Sequence, residues 1–334
     1  MAKHAVKSPS SAKRWMTCPG SLKLSEGRKD TSNEYAEEGT AAHFLGAVCL
    51  QGIKNAADYV GQVIELLEDE QGERYEDFQE LRPAEVKLLS SFIVDEDMAR
   101  YVQVYVDYVR DLVKSSGGVL FVEVSVPLDH LTGEEGATGT SDAVILASDE
   151  LIVVDLKFGR GVEVSAIENE QERIYSSGTL RWIEEIIGGT DEIKRVRLAI
   201  SQPRLSSLPS EWSCTIEELH AFEDEVRKAS AICDAASAAF HDTRGVRFDT
   251  WIDEYLHVSE EGCRFCKAKA TCSKLASHVE ESVGTDFENL DKVPPVNDPM
   301  DNTLLIQATP QELDKLRGVA NYQLGRGTGD ILSA

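Results

Sequence analysis

The chain has 334 residues, of which 42% are hydrophobic and 28% charged. This length predicts one domain with appendages or two modest domains, and the composition excludes wholesale disorder and fibrous structure. Asp and Glu outnumber Lys and Arg by 59 to 34, which gives a net charge of −25. A chain this acidic is not a general nucleic-acid coat, so any contact with DNA or RNA must be local. No apolar run reaches the roughly 18 residues of a membrane span, and the N-terminus lacks a signal-peptide core, which predicts a cytoplasmic protein.

The first third of the chain is predicted to be mostly helical. Residues 1–33 form a basic N-terminal segment, and Ala, Leu and Val at helical spacing predict a helix over 34–50. The acid-rich stretch 54–82 is expected to be an exposed peripheral segment, and residues 83–115 one or two long helices ended by Gly117-Gly118. We therefore expect a helical region over 34–118.

The pattern changes at residue 119 to short apolar runs. Alternation from Val119 to Leu128 predicts a strand, and the nearly continuous apolar run 151–157 predicts a strand buried on both faces. Further strands are predicted over 141–147 and 195–201, with helices over 168–187 and 215–241. The order of these elements predicts an α/β fold, with a central mixed β-sheet flanked by helices over 119–245.

Beyond this core we expect a cysteine-rich region over 246–283 and a linker with a terminal helix over 284–334. The linker prediction depends on Pro294-Pro295 and on Asn297-Asp298-Pro299. Thr309-Pro310-Gln311-Glu312 has the pattern of a capping box with Pro at the first helical position, which predicts a short final helix.

Seven cysteines are unevenly distributed along the chain, and an odd number without an export signal argues against a disulfide framework. Cys263, Cys266 and Cys272 form a C-x2-C-x5-C pattern, whose soft sulfur ligands suit zinc or an iron–sulfur cluster. Three thiolates are one short of a closed site, and Cys18, before Pro-Gly in a turn, is the best candidate for the fourth. The remaining cysteines, predicted to be small buried hydrophobic side chains, are Cys49, Cys214 and Cys233.

Two basic stretches flank these cysteines. Residues 1–24 hold five Lys or Arg and no acid, and residues 263–279 hold four and no acid. If Cys18 joins the C-terminal trio, the two stretches come together in one patch. Alternatively, they are two unrelated surface patches.

The strand over 151–157 ends in Asp155-Leu156-Lys157. Residues i and i+2 of a strand point to one face, so the carboxylate and the ammonium project together. If this strand forms a hairpin with the preceding one, Asp142 lies near Asp155. Two carboxylates beside a lysine suit Mg2+ or Mn2+. The alternative is a structural Asp155–Lys157 salt bridge.

Three short motifs follow one another in the order G-x-x-D, D-x-K and Q-x-x-x-Y. They are Gly139-Thr140-Ser141-Asp142, Asp155-Leu156-Lys157 and Gln171-Glu172-Arg173-Ile174-Tyr175. With His43 on an upstream helix, this order resembles the PD-(D/E)XK nuclease family of the RecB type. A subset similar to the Cas4 and AddB nucleases adds an iron–sulfur cluster on one N-terminal cysteine and a C-terminal C-x2-C-x5-C. The chain also resembles an uncharacterised group of phage and prophage proteins of this type, over residues 8–280.

The resemblance implies roles for the matching residues. The implied catalytic residues are Asp142, Asp155, Lys157, Gln171 and Tyr175. The implied metal ligands are His43, Asp142, Asp155 and the Leu156 carbonyl, and the implied cluster ligands are Cys18, Cys263, Cys266 and Cys272. Lys157 would position the attacking water, while Gln171 and Tyr175 share one helix face and would brace the site or contact DNA. Weaker candidates are Glu38 and Glu123.

The resemblance also implies a restriction-endonuclease-like core and a Mg2+- or Mn2+-dependent deoxyribonuclease. We expect an exonuclease that acts from single-stranded or duplex DNA ends in phage or bacterial recombination, repair or replication. Its expected location is the cytoplasm, or the cytoplasm of the bacterial host if the protein is encoded by a phage. A [4Fe–4S] cluster, or alternatively zinc, would fasten the N-terminal segment to the C-terminal cysteines. No G-x-x-x-x-G-K-[ST] motif occurs, so strand separation would need a helicase, recombinase or single-strand-binding partner. The alternative function is a non-catalytic DNA-binding or end-protecting protein on the same fold.

Overall fold

The structure is a computed structural model that describes residues 3–28, 34–79, 85–240 and 246–287. The backbone divides into two compact units. The first unit comprises Met1–Ala12 and Asp30–Ser230, and the second comprises Lys13–Lys29 and Ala231–Ala334.

Short strands and longer helices alternate along the described residues. The strands are Lys3–His4 (β1), Val63–Glu68 (β2), Arg74–Phe78 (β3), Lys87–Ile93 (β4), Val119–Pro127 (β5), Ala137–Leu146 (β6), Glu150–Leu156 (β7), Arg195–Ser201 (β8) and Ser210–Thr215 (β9). The helices are Ala12–Thr17 (α1), Ser21–Ser25 (α2), Glu34–Gln51 (α3), Glu96–Ser116 (α4), Asp129–Thr132 (α5), Glu170–Ile187 (α6), Ile216–Phe240 (α7), Val246–Tyr255 (α8), Glu260–Arg264 (α9) and Ser273–Phe287 (α10).

The main sheet of the first unit has the order β1-β6-β7-β8-β9, with β5 also paired to β6. β7 and β8 are parallel and connected through α6, whereas β5–β6, β6–β7 and β8–β9 are antiparallel. Every residue of β7 is buried, as its continuous apolar sequence predicts. This arrangement confirms the predicted α/β class and its mixed central sheet, and it is compatible with a restriction-endonuclease-like core.

Helices flank this sheet and bury its apolar residues. Ala41, Leu45 and Val102 on α3 and α4 share one hydrophobic core with Ile145 of β6 and Ile152 of β7. α6 packs against β5, β6, β7 and β8. Polar side chains gather at the end of β7 and in the middle of β6, where the β6–β7 ladder stops.

The helix α6 ends at the predicted residue and begins at Glu170, two residues after the predicted start at 168. Asn169 caps its N-terminus by accepting a hydrogen bond from the backbone N–H of Glu172, and Gly188 ends it in the left-handed conformation. A Cβ atom at Gly178 would lie 2.9 Å from the Pro127 carbonyl oxygen, so glycine lets α6 approach β5 closely. Close packing at this position fixes the helix that carries Gln171 and Tyr175.

The expectation of a helical region over 34–118 is wrong for its middle part, whereas α3 and α4 lie at its two ends. Residues 54–82, expected to be an exposed acidic segment, contain β2 and β3, and residues 83–115 contain β4 before α4. These strands form a separate antiparallel sheet in the order β3-β2-β4. β2 is buried because Ile64 and Leu66 enter the core that contains α3 and α4, although acidic residues surround them in sequence. The short strands β1 and β9 of the main sheet were also not predicted.

The second unit is helical in its described residues and has its own apolar core. Ala236, Trp251 and Leu256 form the centre of this core, and the Trp251 indole N–H donates to the Ala236 carbonyl at 2.8 Å. Cys18 and Cys272 pack against it. The predicted linker begins within α10, which continues to Phe287, and its remainder lies outside the described residues, as does the predicted capping box at 309–312.

Candidate functional site

The β6–β7 hairpin places Asp142 opposite Asp155. The last paired residues of the ladder are Ala143 and Val154, so the next position on each strand carries one of the two aspartates. The Oδ2 atom of Asp142 accepts a hydrogen bond from the backbone N–H of Leu156 at 2.8 Å. The hairpin is therefore confirmed, and it brings the two aspartates together where the β6–β7 ladder ends.

Lys157 binds the second aspartate directly. Its Nζ atom lies 3.0 Å from Oδ1 of Asp155 and 2.9 Å from Oδ2. Asp155 is only 5% exposed, and burial outweighs the Lys157 ammonium and raises the pKa of this carboxyl group. For Asp142, burial also acts to raise the pKa, but His43, the Leu156 N–H and Lys157 together outweigh burial and lower the pKa. The salt bridge of the alternative interpretation is thus present, within a larger cluster of titratable groups.

His43 reaches this cluster from α3. Its Nδ1 atom lies 3.1 Å from Oδ2 of Asp142. Burial disfavours the charged imidazolium, but the Asp142 carboxylate outweighs burial and raises the pKa of His43 to about 9. His43 is therefore protonated at neutral pH in the metal-free protein, and binding a metal through its ring requires loss of that proton.

The helix α6 contributes Gln171 and Tyr175. The Gln171 Nε2 atom donates to Oδ1 of Asp155 at 3.2 Å, which fixes the orientation of this carboxyl group. The Tyr175 ring packs on Gly139, where a Cβ atom would lie 2.8 Å from its Cε1 atom. The G-x-x-D motif therefore needs glycine at this position, because a larger side chain would collide with the Tyr175 ring. Gln171 and Tyr175 of Q-x-x-x-Y lie on one side of α6, beside the aspartates.

Two glutamates extend this cluster. One carboxylate oxygen of Glu123, on β5, lies within 4.8 Å of donor atoms of both His43 and Asp142. Glu172 is fully buried on α6, where burial and then the Asp155 carboxylate raise its pKa well above the ordinary value. The sequence analysis gave Glu123 only as a weak candidate site residue, and it assigned no role to Glu172. Glu38, the other weak candidate, pairs with Arg204 at 2.7 Å.

The four cysteines of the predicted cluster meet in the second unit. They line one cavity of about 20 Å³, together with basic and apolar side chains. The cavity-lining cysteines are Cys18, Cys263, Cys266 and Cys272, and the basic residues are Arg14, Lys269 and Lys274. Burial raises the pKa of Cys18 to about 11, so its thiol is neutral until a metal stabilises the thiolate. Four sulfur ligands around one cavity fit a thiolate-bound metal centre.

Packing around Gly20 explains how Cys18 reaches its partners. A Cβ atom at Gly20 would lie 2.7 Å from Leu256 Cδ2 and 2.8 Å from Trp251 Cη2. The Gly20 backbone N–H donates to the Tyr255 carbonyl at 2.9 Å, and the Cys18 sulfur accepts from the His257 N–H at 3.3 Å. Glycine thus allows the N-terminal turn to lie against the loop that leads to Cys263.

The remaining cysteines and basic residues have different surroundings. Cys49, Cys214 and Cys233 are buried, which confirms the prediction of small hydrophobic side chains.

Arg14 from the N-terminal basic stretch and Lys269 from the C-terminal one line the same cavity, so part of each stretch is brought together. The basic residues do not form an unopposed patch, however, because several are paired with acids. These pairs are Lys13–Glu261, Lys23–Glu26, Arg264–Glu260 and Lys274–Asp253.

A family model described as a protein of unknown function (DUF2800) matches residues 4–319. The chain belongs to the DUF2800 family. Among solved structures, this DUF2800 chain is similar to one described as the crystal structure of LHK-Exo in complex with dAMP. The sequence identity is 11% and the TM-score 0.28, over 70% of this chain and 94% of the other. Similarity at this level does not establish a shared function. Within the described residues of the DUF2800 chain, no helix combines the length and apolarity needed to span a membrane.

Proposed function

We propose that this protein is a divalent-metal-dependent DNA nuclease. The observation that supports this proposal best is the convergence of Asp142, Asp155 and Lys157 at the end of the β6–β7 hairpin. His43 and Gln171 reach the same two carboxyl groups from separate helices. An isolated structural salt bridge would not need this number of polar groups around one buried aspartate.

The carboxylates fit a hard divalent cation. Asp142 and Asp155 would hold Mg2+ or Mn2+ with the Leu156 carbonyl, and His43 is a further candidate ligand. When bound, the ion supplies Lewis acidity and lowers the pKa of a coordinated water. Gln171 keeps the Asp155 carboxyl group oriented through its 3.2 Å hydrogen bond. Lys157 orients the attacking water and offsets negative charge that develops on the phosphate.

We further propose that the substrate is DNA with free single-stranded or duplex ends, and that the enzyme is an exonuclease. This finer assignment depends on the resemblance of the three motifs to RecB-type nucleases. The net charge of −25 requires local rather than general DNA contacts. Arg14 and Lys269 at the cysteine cavity are candidates for such contacts, and the DNA affinity of variants that neutralise them tests this assignment.

The cysteine cavity would hold a [4Fe–4S] cluster, with zinc as the alternative. Both metals accept four thiolate ligands, so the ligand set alone does not distinguish them. An iron–sulfur protein purified anaerobically is brown and absorbs at roughly 400 nm through thiolate-to-iron charge transfer, whereas a zinc protein is colourless. Iron, sulfide and zinc analysis of the same sample identifies the metal.

The decisive experiment compares cleavage of end-labelled linear DNA and circular DNA in Mg2+ or Mn2+. The wild type should degrade linear DNA, and Asp155→Asn and Lys157→Ala should each lose activity by roughly 10²–10⁴-fold. Asp149→Asn is the matched control, since Asp149 is an exposed carboxylate in the turn of the same hairpin. Full cleavage by the Asp155→Asn protein would refute the assigned site.

The alternative is a non-catalytic protein that binds or protects DNA ends. It predicts tight, metal-supported DNA binding without cleavage for the wild type and for Lys157→Ala alike. Electrophoretic mobility shifts with the same labelled DNA, run beside the cleavage assay, separate the two functions.

A further inference from the structure

The short loop between Cys263 and Cys266 presents one phenylalanine to solvent. Phe265 is 75% exposed. By contrast, four other aromatic rings of the second unit pack against one another, namely Phe240, Phe248, Trp251 and Tyr255. Exposure of an aromatic ring to water is unfavourable, and a partner with a flat apolar face would remove that ring from water.

Backbone contacts fix the position of this ring. The helix α9 ends at Phe265, whose N–H donates to the Cys263 carbonyl. A Cβ atom at Gly262 would lie 2.6 Å from Ser259 Oγ and 3.7 Å from the Arg14 Cα atom, so glycine lets α9 pack closely against its own N-cap and against α1. A ring on a backbone that is already ordered loses little further freedom when it binds a partner.

Cationic side chains surround the exposed ring in sequence and in space. Arg264 precedes it directly, and the exposed Lys267 follows two residues later. The Lys269 Nζ atom donates to the Arg264 carbonyl at 3.1 Å, so this ammonium lies beside the loop. Arg28, exposed after α2, donates through Nη2 to Thr271 Oγ1 at 2.5 Å and brings a further positive charge to the same stretch.

The charge balance of this stretch favours an anionic partner. Residues 263–279 contain four Lys or Arg and no acid. Two of them are paired with acids from outside the stretch, as Arg264–Glu260 and Lys274–Asp253. Arg28 and Lys269 instead donate to uncharged oxygens, so these contacts leave their positive charge in place. In a chain with a net charge of −25, cations beside an exposed aromatic ring fit a polyanion that also carries flat apolar groups.

We propose that Phe265, Lys267, Lys269 and Arg28 form a surface that binds single-stranded DNA, with Phe265 stacked on a base. This inference rests on the proposed function, in which DNA is the substrate, and it names the single strand as the form of DNA that the second unit binds. Bases in a duplex are stacked on one another, so only an unpaired base offers its face to the ring. The three cations contact phosphates of the same strand.

The test measures DNA binding by full-length protein that retains its cysteine-bound metal. Fluorescence anisotropy with a labelled dT oligonucleotide and a blunt duplex of the same length, without added divalent cation, records affinity in the absence of cleavage. The wild type should bind the single strand more tightly than the duplex. Phe265→Ala should weaken single-strand binding by about 5- to 100-fold, whereas Phe265→Trp, which keeps an aromatic ring, should retain it.

Salt dependence separates the ring from the cations. Each phosphate contact on a single strand contributes about 0.7 to the slope of log affinity against log salt concentration. Lys267→Gln and Arg28→Gln should therefore each reduce the slope by about that amount. Phe265→Ala should keep the wild-type slope while its affinity falls.

A matched control and a folding control accompany these variants. Ile232 is an exposed apolar residue on α7 of the same unit, and Ile232→Ala should bind the single strand as the wild type does. Because the Phe265 ring is exposed, Phe265→Ala should keep the metal content and the melting temperature of the wild type. Wild-type affinity in a metal-loaded Phe265→Ala protein, or a wild type that prefers the duplex or binds neither DNA, would overturn the proposed surface.

The outcomes also separate this inference from the proposed function. A wild type that cleaves DNA while Phe265→Ala binds the single strand equally well contradicts the surface and leaves the nuclease intact. A wild type whose single-strand binding depends on Phe265 but which never cleaves DNA supports the surface and contradicts the nuclease.

Discussion

The carboxylate site and the cysteine cavity are assembled by different means. In the first unit, Asp142 and the Leu156 N–H are 14 residues apart and meet through one hairpin. In the second unit, Cys18 and the His257 N–H are 239 residues apart and meet through tertiary contacts, which include the backbone hydrogen bond from Gly20 to Tyr255. Long loops cost more entropy to close than short ones, and among the described residues this second meeting is not part of a β-ladder.

This difference predicts different responses to metal removal. The carboxylate site is built on a buried sheet, so its side chains stay in place without an ion. The cysteine cavity places four thiols around one point, and a metal bound there adds its binding free energy to the stability of the second unit. We therefore expect metal removal to leave the fold of the first unit intact and to destabilise the second unit.

The largest expected effect comes from removing one of the four proposed cluster ligands. Cys266→Ser should abolish the absorption at roughly 400 nm. It should also destabilise the second unit by about 2–5 kcal/mol, comparable to loss of a native cross-link that closes a long loop. Hydrogen exchange followed by mass spectrometry should show lost protection over 246–287 and unchanged protection over β7.

Cys233→Ala is the control for that experiment. Cys233 is buried in the second unit, and its sulfur contacts the Trp15 carbonyl at 3.4 Å instead of the cavity. This variant should keep full iron content. Equal loss of colour in both variants would show that the absorption depends on general folding of the second unit and not on Cys266 as a ligand.

A smaller effect is expected at Gly20. In Gly20→Ala, the new methyl group meets Leu256 and Trp251 at less than 3 Å, and the required shift should cost about 1–3 kcal/mol. Iron content should fall in proportion to the protein that unfolds. Gly39→Ala in the middle of α3 has open space around its Cβ and should instead stabilise the protein by about 0.5–1 kcal/mol. Thermal melts of the two variants should therefore shift in opposite directions.

Sequence patterns predicted the main sheet well because its strands carry local signals. The apolar run of β7, the alternation of β5 and the caps of α6 are each contained in a short window, and the hairpin then fixes Asp142 against Asp155. The β3-β2-β4 sheet was missed for the opposite reason. The acidic residues around β2 suggested exposure, whereas its burial comes from contacts with α3 and α4 that no local window contains.

The same distinction applies to the site residues. His43, Asp142, Asp155, Lys157 and Gln171 carry motif signals, and the structure brings them together. Glu123 has the alternating pattern of an ordinary strand residue, and its positive φ has no counterpart in the sequence. Glu172 occupies the N3 position of α6, where a glutamate usually caps the helix and stays hydrated. Its burial beside Asp155 depends on the packing of α6 and could not be predicted.

The smallest expected effect tests that burial in the first unit. Glu172 is fully buried beside Asp155, and burial and then the Asp155 carboxylate raise its pKa well above the ordinary value, which favours the protonated form in the folded chain. The unfolded chain releases this proton above pH of about 4.3, so Glu172 lowers stability as pH rises from there toward its folded pKa. Glu172→Gln, a neutral side chain of equal size, removes that dependence. In metal-free protein its free energy of unfolding should equal the wild-type value near pH 4 and exceed it at pH 7. Glu170→Gln, at a half-buried neighbour, is the control and should not show this difference in unfolding free energy between the two pH values. Denaturant titrations measure both variants. If Glu172→Gln exceeded the wild type by the same free energy at pH 4 and pH 7, Glu172 would be ionised in the fold.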